Sequence, residues 1–406
     1  MKLPSCDKWS LRRLARTEVA ANTLERRESE GDSADVARPR VLFLTSVPDF
    51  YGGAERVLWD LIENPAIVPL LAVPGPGQLS QEAERRGIGV FFYRPGAMIE
   101  VHRPVRLGAM LRAVADAVRC GLRIRRFARQ SGCDIVHSNS LKTHVLLGIV
   151  RAGGRGLRCI VHLHDIAYTK AEKAVWRSLG ACAHRLVVVS PPCWPTTPLP
   201  SKVAVIPNGL NVDADSPPQR HPARPLRLGF VGRFHPNKSL EVLLDWFAAA
   251  RRADIDCRLV LRGRPDPVSE DYWLAIRQRI DGLGLADRIT TEGWRSGAGV
   301  YEGLDVVIVP SKVPDPLPRV VMEAMGAGLP VVAYPSGGIP TMIASRRTGF
   351  LAESPAQFVE ALRELTADGA TYDRIRCAGF AHVKGSLTME HFHARVNETY
   401  RLARGS

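Results

Sequence analysis

Two groups of charged residues in this 406-residue chain have the types and spacing to hold an anionic, hydroxyl-rich ligand. The first follows the apolar run Leu228-Gly229-Phe230-Val231-Gly232, where Arg233 and Lys238 stand five apart in a loop and Lys238-Ser239 opens a helix. A helix N-terminus leaves N–H groups unpaired and carries partial positive charge. A forked guanidinium and a compact ammonium beside it suit a diphosphate. The second follows Asp305–Pro310, where Asp315 precedes and Glu323 lies within the helix Arg319-Val320-Val321-Met322-Glu323-Ala324-Met325. Glu323 has apolar neighbours, so its carboxylate needs donors, and sugar or ribose hydroxyls would satisfy it. The plainer alternative has Asp315 capping the helix and Glu323 paired with Arg319, four residues earlier.

The elements that carry these loops alternate regularly. Short apolar runs at Val41–Thr45, Ile67–Val73, Val90–Tyr93, Asp134–His137, Arg158–His162 and Arg185–Ser190 read as buried strands, with helical stretches such as Arg106–Arg129 and Leu141–Arg151 between them. Ten prolines then fall among residues 191–225 and mark a connector, within which Val203–Ile206 reads as one more strand. Alternation resumes with strands at Leu226–Val231, Arg258–Leu261, Arg288–Thr291, Asp305–Val309 and Val331–Ala333. Buried strands alternating with helices imply parallel sheets covered on both faces. The expected fold class is α/β, two Rossmann-like doubly wound domains facing a cleft, with ligands outside the carboxyl ends of the strands. The expected divisions are a disordered tail over 1–39, an N-terminal acceptor-side domain over 40–200, a linker over 201–225, a C-terminal donor domain over 226–384, and a closing helix over 385–406 that packs back on the N-domain.

Val231-Gly232-Arg233, Lys238-Ser239, and Asp315 with Glu323 inside Pro-Asp-Pro-Leu-Pro-Arg-Val-Val-Met-Glu-Ala-Met-Gly-Ala-Gly resemble the donor-site signature of the GT-B glycosyltransferases, family four. Gly52-Gly53-Ala54-Glu55 resembles that family's N-terminal glycine loop, Val205-Ile206-Pro207-Asn208-Gly209 its interdomain segment, and Glu292-Gly293 and Gly337-Gly338-Ile339-Pro340 further parts of it. The resemblance covers about residues 40–405. It departs at Asp315, where the family usually has Glu, and at Thr341, where it often has Glu. It implies a retaining transfer of a sugar from a nucleoside-diphosphate sugar to a saccharide or lipid-linked acceptor, in cell-surface glycan or glycolipid synthesis. By the same resemblance, Arg233 and Lys238 would neutralise the diphosphate as it leaves, Glu323 would hold the ribose hydroxyls, and Asp315 would contact the donor sugar. Gly52 and Gly53 would let the backbone approach the phosphates, having no Cβ in the way. His164, in Val161-His162-Leu163-His164-Asp165, matches the family's cleft histidine, and His162 is expected to point to the opposite face. His137, at another strand end, is expected on the acceptor side.

Asp213-Ala214-Asp215 and Asp254-Ile255-Asp256 lie away from the strand ends where a metal-dependent transferase would need them, so neither a metal nor another cofactor is expected. Eight scattered cysteines without a C-x-x-C pair, an N-terminus with no apolar block, and no run of about 18–20 apolar residues make the cytoplasm the expected compartment, and the basic segment Arg103–Arg129 makes a peripheral position at the inner membrane face the accompanying expectation. The net charge of +14 favours anionic partners. Much of it lies between Arg103 and Arg129, eight arginines against Asp116 alone. That helix is expected to pack the stripe Leu107, Met110, Leu111, Val114, Ala117, Val118 and Leu122 inward and to turn its arginines to an anionic membrane. Nucleic acid is excluded as a partner, because the segment's single aromatic, Phe127, makes no stacking platform. A sugar-nucleotide epimerase of the same fold and an inactive nucleotide-sugar-binding protein are the alternatives.

Overall fold

The computed structural model describes residues 38–50, 52–96, 107–154, 156–266, 269–295 and 297–405. The expected tail over 1–39 falls almost entirely outside them, as do the first residues of the basic segment, 103–106. Two parallel sheets form two doubly wound modules, the class expected from the sequence. The N-module sheet has the order β3-β2-β1-β4-β5-β6-β7. Its strands are β1 (Arg40–Leu44), β2 (Val68–Val73), β3 (Gly89–Phe92), β4 (Ile135–Ser138), β5 (Arg158–Leu163), β6 (Arg185–Val188) and β7 (Val203–Val205). The C-module sheet runs β10-β9-β8-β11-β12-β13. It comprises β8 (Leu226–Val231), β9 (Cys257–Arg262), β10 (Ile289–Glu292), β11 (Val306–Val309), β12 (Val331–Ala333) and β13 (Phe350–Leu351). Strand order reverses between β1 and β4 in one sheet and between β8 and β11 in the other. A crevice opens at each such switch point, because the connections on either side leave toward opposite faces of the sheet.

The helices are α1 (Gly53–Ile62), α2 (Gln78–Arg85), α3 (Leu107–Gln130), α4 (Leu141–Ala152), α5 (Lys170–Cys182), α6 (Leu240–Arg252), α7 (Glu270–Gly282), α8 (Arg319–Gly326), α9 (Pro355–Ala367), α10 (Gly369–Ser386) and α11 (Met389–Arg404). Helix α11 leaves the C-module and buries Phe392, Val396, Tyr400 and Ala403 in one cluster with Val41, Phe43, Ile135 and Ile160 of the N-module. Where it crosses, Leu210 and Met389 exchange backbone bonds with Leu387 and Leu210, so the two chain crossings run side by side.

Helix α3 presents a different face from the one expected. Its buried residues are Ala113, Ala117, Cys120, Ile124 and Ala128, spaced three or four apart. Leu111, Val114, Val118 and Leu122 point to solvent, 63, 55, 41 and 51 % exposed. Hydrophobicity ranks the large side chains as the inward face, but close packing at Gly121 selects a face of mostly small residues, with Ile124 among them. A Cβ at Gly121 would stand 2.7 Å from Ile149 of α4, so the two helices touch too closely for a leucine between them. Arg125 is buried with this face, its guanidinium donating to the carbonyls of Val150 and Gly154.

Candidate functional site

One cleft of about 2030 Å³ lies between the modules, and Gly52, Gly53, His164, Arg233, Lys238, Asp315 and Glu323 all line it. Each comes from a loop beyond the carboxyl end of a strand or from the helix that follows it. Residue types that were far apart in the chain therefore meet because both sheets aim these ends at each other.

On the C-module side, β8 ends at Val231 and the chain turns through Gly232 into a 3-10 turn over Pro236–Lys238. Helix α6 begins at Leu240, so Lys238 precedes the helix rather than opening it. Ser239 takes a left-handed conformation (φ 52°) as the N-cap, and its hydroxyl accepts the Lys312 N–H at 3.2 Å. The Leu240 N–H is taken by the Tyr272 hydroxyl at 2.8 Å. The cations available to a phosphate here are thus side chains. Lys238 Nζ lies 2.6 Å from Asp315 Oδ2, and Arg233 Nη1 lies 2.7 Å from Asp266 Oδ2. Arg233 is nearly half exposed, and Lys238 and Asp315 are mostly covered.

Asp315 does not cap α8, whose N-cap is Pro318. Its loop is held by the Gly337-Gly338 turn, in which the Gly338 N–H donates to the Asp315 carbonyl at 2.9 Å. Gly337 has φ 55°, and a Cβ there would lie 2.0 Å from the Asp315 carbonyl oxygen; a Cβ on Gly338 would lie 1.9 Å from that of Pro316. Two glycines are the only pair that lets these backbones touch, so the turn sets the height of Asp315 in the cleft. Glu323 does pair with Arg319, Oε1 to Nε at 3.3 Å, and its Oε2 accepts the Tyr301 hydroxyl at 3.0 Å. The helical pair of the plainer reading is therefore present, yet Glu323 still faces the cleft with lone pairs to spare.

On the N-module side, Gly52 is the N-cap of α1, and its N–H donates to Glu55 Oε2 at 2.8 Å. A Cβ on Gly53 would meet no atom within 4 Å, so the space beyond this backbone belongs to the cleft. His164 Nε2 lies 2.8 Å from Asn139 Oδ1, while Asn139 Nδ2 donates to the Ala54 carbonyl. The amide orientation makes Nε2 the proton-bearing nitrogen and leaves Nδ1 with a lone pair. Burial pushes the His164 pKa down to about 4. The ring is therefore a neutral hydrogen-bond acceptor for a hydroxyl, not an acid, at ordinary pH.

Two histidine expectations are corrected. His137 does not reach the acceptor side: it is fully buried, its Nδ1 2.8 Å from the Tyr400 hydroxyl of α11 and its Nε2 3.3 Å from His162 Nδ1. The strand end that places it also faces α11, which no local pattern reveals. His162 does not point away from His164; their rings stack at 4.2 Å. Residues two apart on a strand share a face. His137 and His144 are pushed down to about 3 by burial and then by neighbouring imidazoles, and His162 is held well below its ordinary value by the same causes.

Several cleft residues had no signal in the sequence. Asp165 lines the cleft, and burial, then the Asp315 carboxylate, raise its pKa; its place beside His164 was the one available clue. Tyr301, Asp60, and Trp294 with the Arg264 guanidinium 5.6 Å above its ring arrive from separate elements. Among the described residues no group of three or more His, Cys, Asp or Glu is arranged to hold a metal. No helix among them is long and apolar enough to cross a membrane.

Comparison with known proteins finds glycosyltransferase family models along both modules. Residues 51–214 match the family model of Glycosyltransferase Family 4, and residues 225–368 that of Glycosyl transferases group 1. The D-inositol 3-phosphate glycosyltransferase of Mycobacteroides abscessus is 30 % identical over 219 residues, 50 % of this chain and 48 % of the relative. That of Corynebacterium diphtheriae is 32 % identical over 203 residues, 45 % of this chain and 47 % of the relative. The chain thus spans about half the length of the curated relatives it matches. Among solved structures, Anabaena HepE in complex with UDP superposes with a TM-score of 0.72 at 20 % identity, covering 89 % of this chain and 99 % of that one. Sucrose-phosphate synthase from Thermosynechococcus elongatus gives a TM-score of 0.68 at 18 % identity over 90 % and 98 % of the two chains.

Proposed function

We propose, from the premise that this chain belongs to the family-four-like glycosyltransferases of the GT-B fold, that it transfers a glycosyl group from a nucleoside-diphosphate sugar to a saccharide or lipid-linked acceptor. The observation that carries this reading is the convergence of Arg233, Lys238, Asp315 and Glu323 on one wall of the cleft, opposite His164 and the Gly52-Gly53 helix start. Glu323 accepts the ribose hydroxyls. Arg233 and Lys238 take the diphosphate, each exchanging a carboxylate partner for phosphate oxygens. Asp315, released from Lys238, accepts hydroxyls of the donor sugar, and His164 Nδ1 accepts another. The acceptor hydroxyl attacks the anomeric carbon while the diphosphate leaves with the bonding electron pair and takes up the hydroxyl proton. Fixed cations at the departing phosphate lower that barrier, since charge grows there as the bond breaks. Retention of anomeric configuration follows the family resemblance, and no metal is assigned a part.

The relatives named D-inositol 3-phosphate glycosyltransferases, and the neighbour that binds UDP and glucose, support a nucleotide-sugar donor and a polyol acceptor. Arg56 on α1 lines the same cleft and suits an acceptor that carries phosphate. The α3 ridge supports a peripheral site of work in the cytoplasm, on an anionic membrane that would present a lipid-linked acceptor. Its exposed Leu111, Val114, Val118 and Leu122 lie beside the exposed Arg119, Arg123 and Arg126. Leu141 at the start of α4 is also exposed and lines the cleft. Such a face suits the lipid interface, and cell-surface glycan or glycolipid synthesis is the corresponding role.

The test is transfer from a panel of nucleotide sugars, read as nucleoside diphosphate released in an acceptor-dependent way. Lys238→Ala and Glu323→Ala are expected to lose about 10²–10³-fold in rate with the thermal transition retained, and EDTA to leave the wild-type rate unchanged. Folded variants within threefold of wild type would remove the donor-site assignment. Conversion of the sugar without any acceptor would favour an epimerase.

A further inference from the structure

Arg319 is the first residue of α8, and its guanidinium is shared between carboxylates of both modules. Nη1 lies 2.8 Å from Asp60 Oδ2 on α1, and Nε lies 3.3 Å from Glu323 Oε1 on α8. The Arg319 and Asp60 side chains are only 16 and 10 % exposed. Asp60 sits on the helix whose N-terminus bears Gly52-Gly53, and its carbonyl faces His393 Nε2 of α11 at 2.7 Å. One rigid helix therefore links the cleft's glycine loop, the returning helix α11 and Arg319. The Tyr168 hydroxyl also crosses between the modules, to the Pro314 carbonyl, as does that of Ser190 to Pro316. Those bonds are between neutral groups and end on the backbone of the Asp315 loop.

We propose that Arg319 is a positioning residue that ties donor binding to closure of the two modules: it aligns the Glu323 carboxylate only while Asp60 holds its other end. The proposal rests on the donor-site reading in one respect, that Glu323 faces the nucleotide sugar. A planar fork fixes the direction of both carboxylates at once, which an ammonium does not. When the cleft opens, Arg319 loses Asp60 and is free to swing about Glu323, so the donor wall is set only in the closed form. Burial raises the Asp60 pKa while Arg319 lowers it, so the carboxylate depends on this guanidinium to offset the hydration it has lost.

The test uses the full chain and UDP, with Asp60→Asn, Arg319→Gln and the double variant. UDP affinity comes from calorimetry and the radius of gyration from small-angle scattering, with and without UDP. Each single variant is expected to bind UDP about tenfold more weakly, to be more expanded than wild type, and to raise the donor KM more than it lowers kcat. The double variant is expected to be no worse than the weaker single one, because both remove one link. Losses that multiply to about a hundredfold, or singles that bind and compact like wild type, would overturn the proposal. Variants that lose only melting temperature would show a structural pair. If wild type binds no nucleoside diphosphate, UDP, GDP and ADP included, the donor reading fails separately. The link is then judged on the radius of gyration alone, and equal values in all four proteins overturn it.

Discussion

The proposed docking of α3 on anionic membranes predicts that replacing Leu111 and Leu122 by aspartate detaches the protein from them and leaves its fold intact. The two side chains are 63 and 51 % exposed and flank Val114 and Val118, 55 and 41 % exposed, in a row along one face of the helix. Full burial of such a side chain is worth roughly 1.5–3 kcal/mol, so covering the exposed half of each gives about 1 kcal/mol, and about 4 kcal/mol for the row. Arg119, Arg123 and Arg126 add about 1 kcal/mol each close to an anionic surface. The two aspartates would remove about 2 kcal/mol of apolar contact and add about 2 kcal/mol of repulsion. Together that is a loss of nearly 10³ in the partition coefficient. The assay is cosedimentation with vesicles of phosphatidylcholine containing phosphatidylserine, from 0.05 to 1 M salt. High salt shrinks the Debye length to about 3 Å and removes the arginine share, so wild type should weaken and retain a residue of binding from the apolar row. Unchanged binding of the double aspartate variant would refute the reasoning, as would wild-type binding that salt abolishes completely. A wild-type dimer that the aspartates dissociate would show that a second copy, not lipid, covers the ridge.

Acid should destabilise the protein through its buried imidazoles. His137 and His144 have folded pKa values of about 3 and His164 of about 4, against about 6.5 in an unfolded chain, so protons bind the unfolded state first as pH falls. Stability is expected to be complete above pH 6.5 and to decline from there toward pH 3, by about 2 kcal/mol per imidazole at pH 5; a urea midpoint that stays flat between pH 7 and 5 would contradict this. Gly337→Ala is expected to lower transfer at least tenfold without entering the cleft, because a Cβ at φ 55° and 2.0 Å from the Asp315 carbonyl must displace that loop. Wild-type kinetics in a folded Gly337→Ala protein would show that the loop height is not set by this turn.

The two-module plan and the cleft wall formed by Arg233, Lys238, Asp315 and Glu323 were legible in the linear chain, and the reason is locality. Strand and helix periods repeat over a few residues, and Arg233 with Lys238, or Asp315 with Glu323, occupy single loop-to-helix segments in which the two members lie five and eight positions apart. The Gly337-Gly338 turn was visible as a motif, but its purpose was not, because the carbonyl it must clear belongs to a different loop. Strand β13, two residues long, carries too little pattern to be seen.

What tertiary structure alone decided are the pairings between distant elements. Arg319 finds Asp60 across 259 residues of chain, and His137 finds Tyr400 across 263, which turns an apparent cleft histidine into a buried one. The inward face of α3 was decided likewise. Its exposed large aliphatics outweigh its alanines on any hydrophobic scale, yet Ile149 of α4 approaches so near Gly121 that no larger side chain fits at that point, and the face around Gly121 is the one that is buried. A local pattern states which residues prefer burial; which of them obtain it depends on the shape of the surface that arrives from elsewhere in the chain.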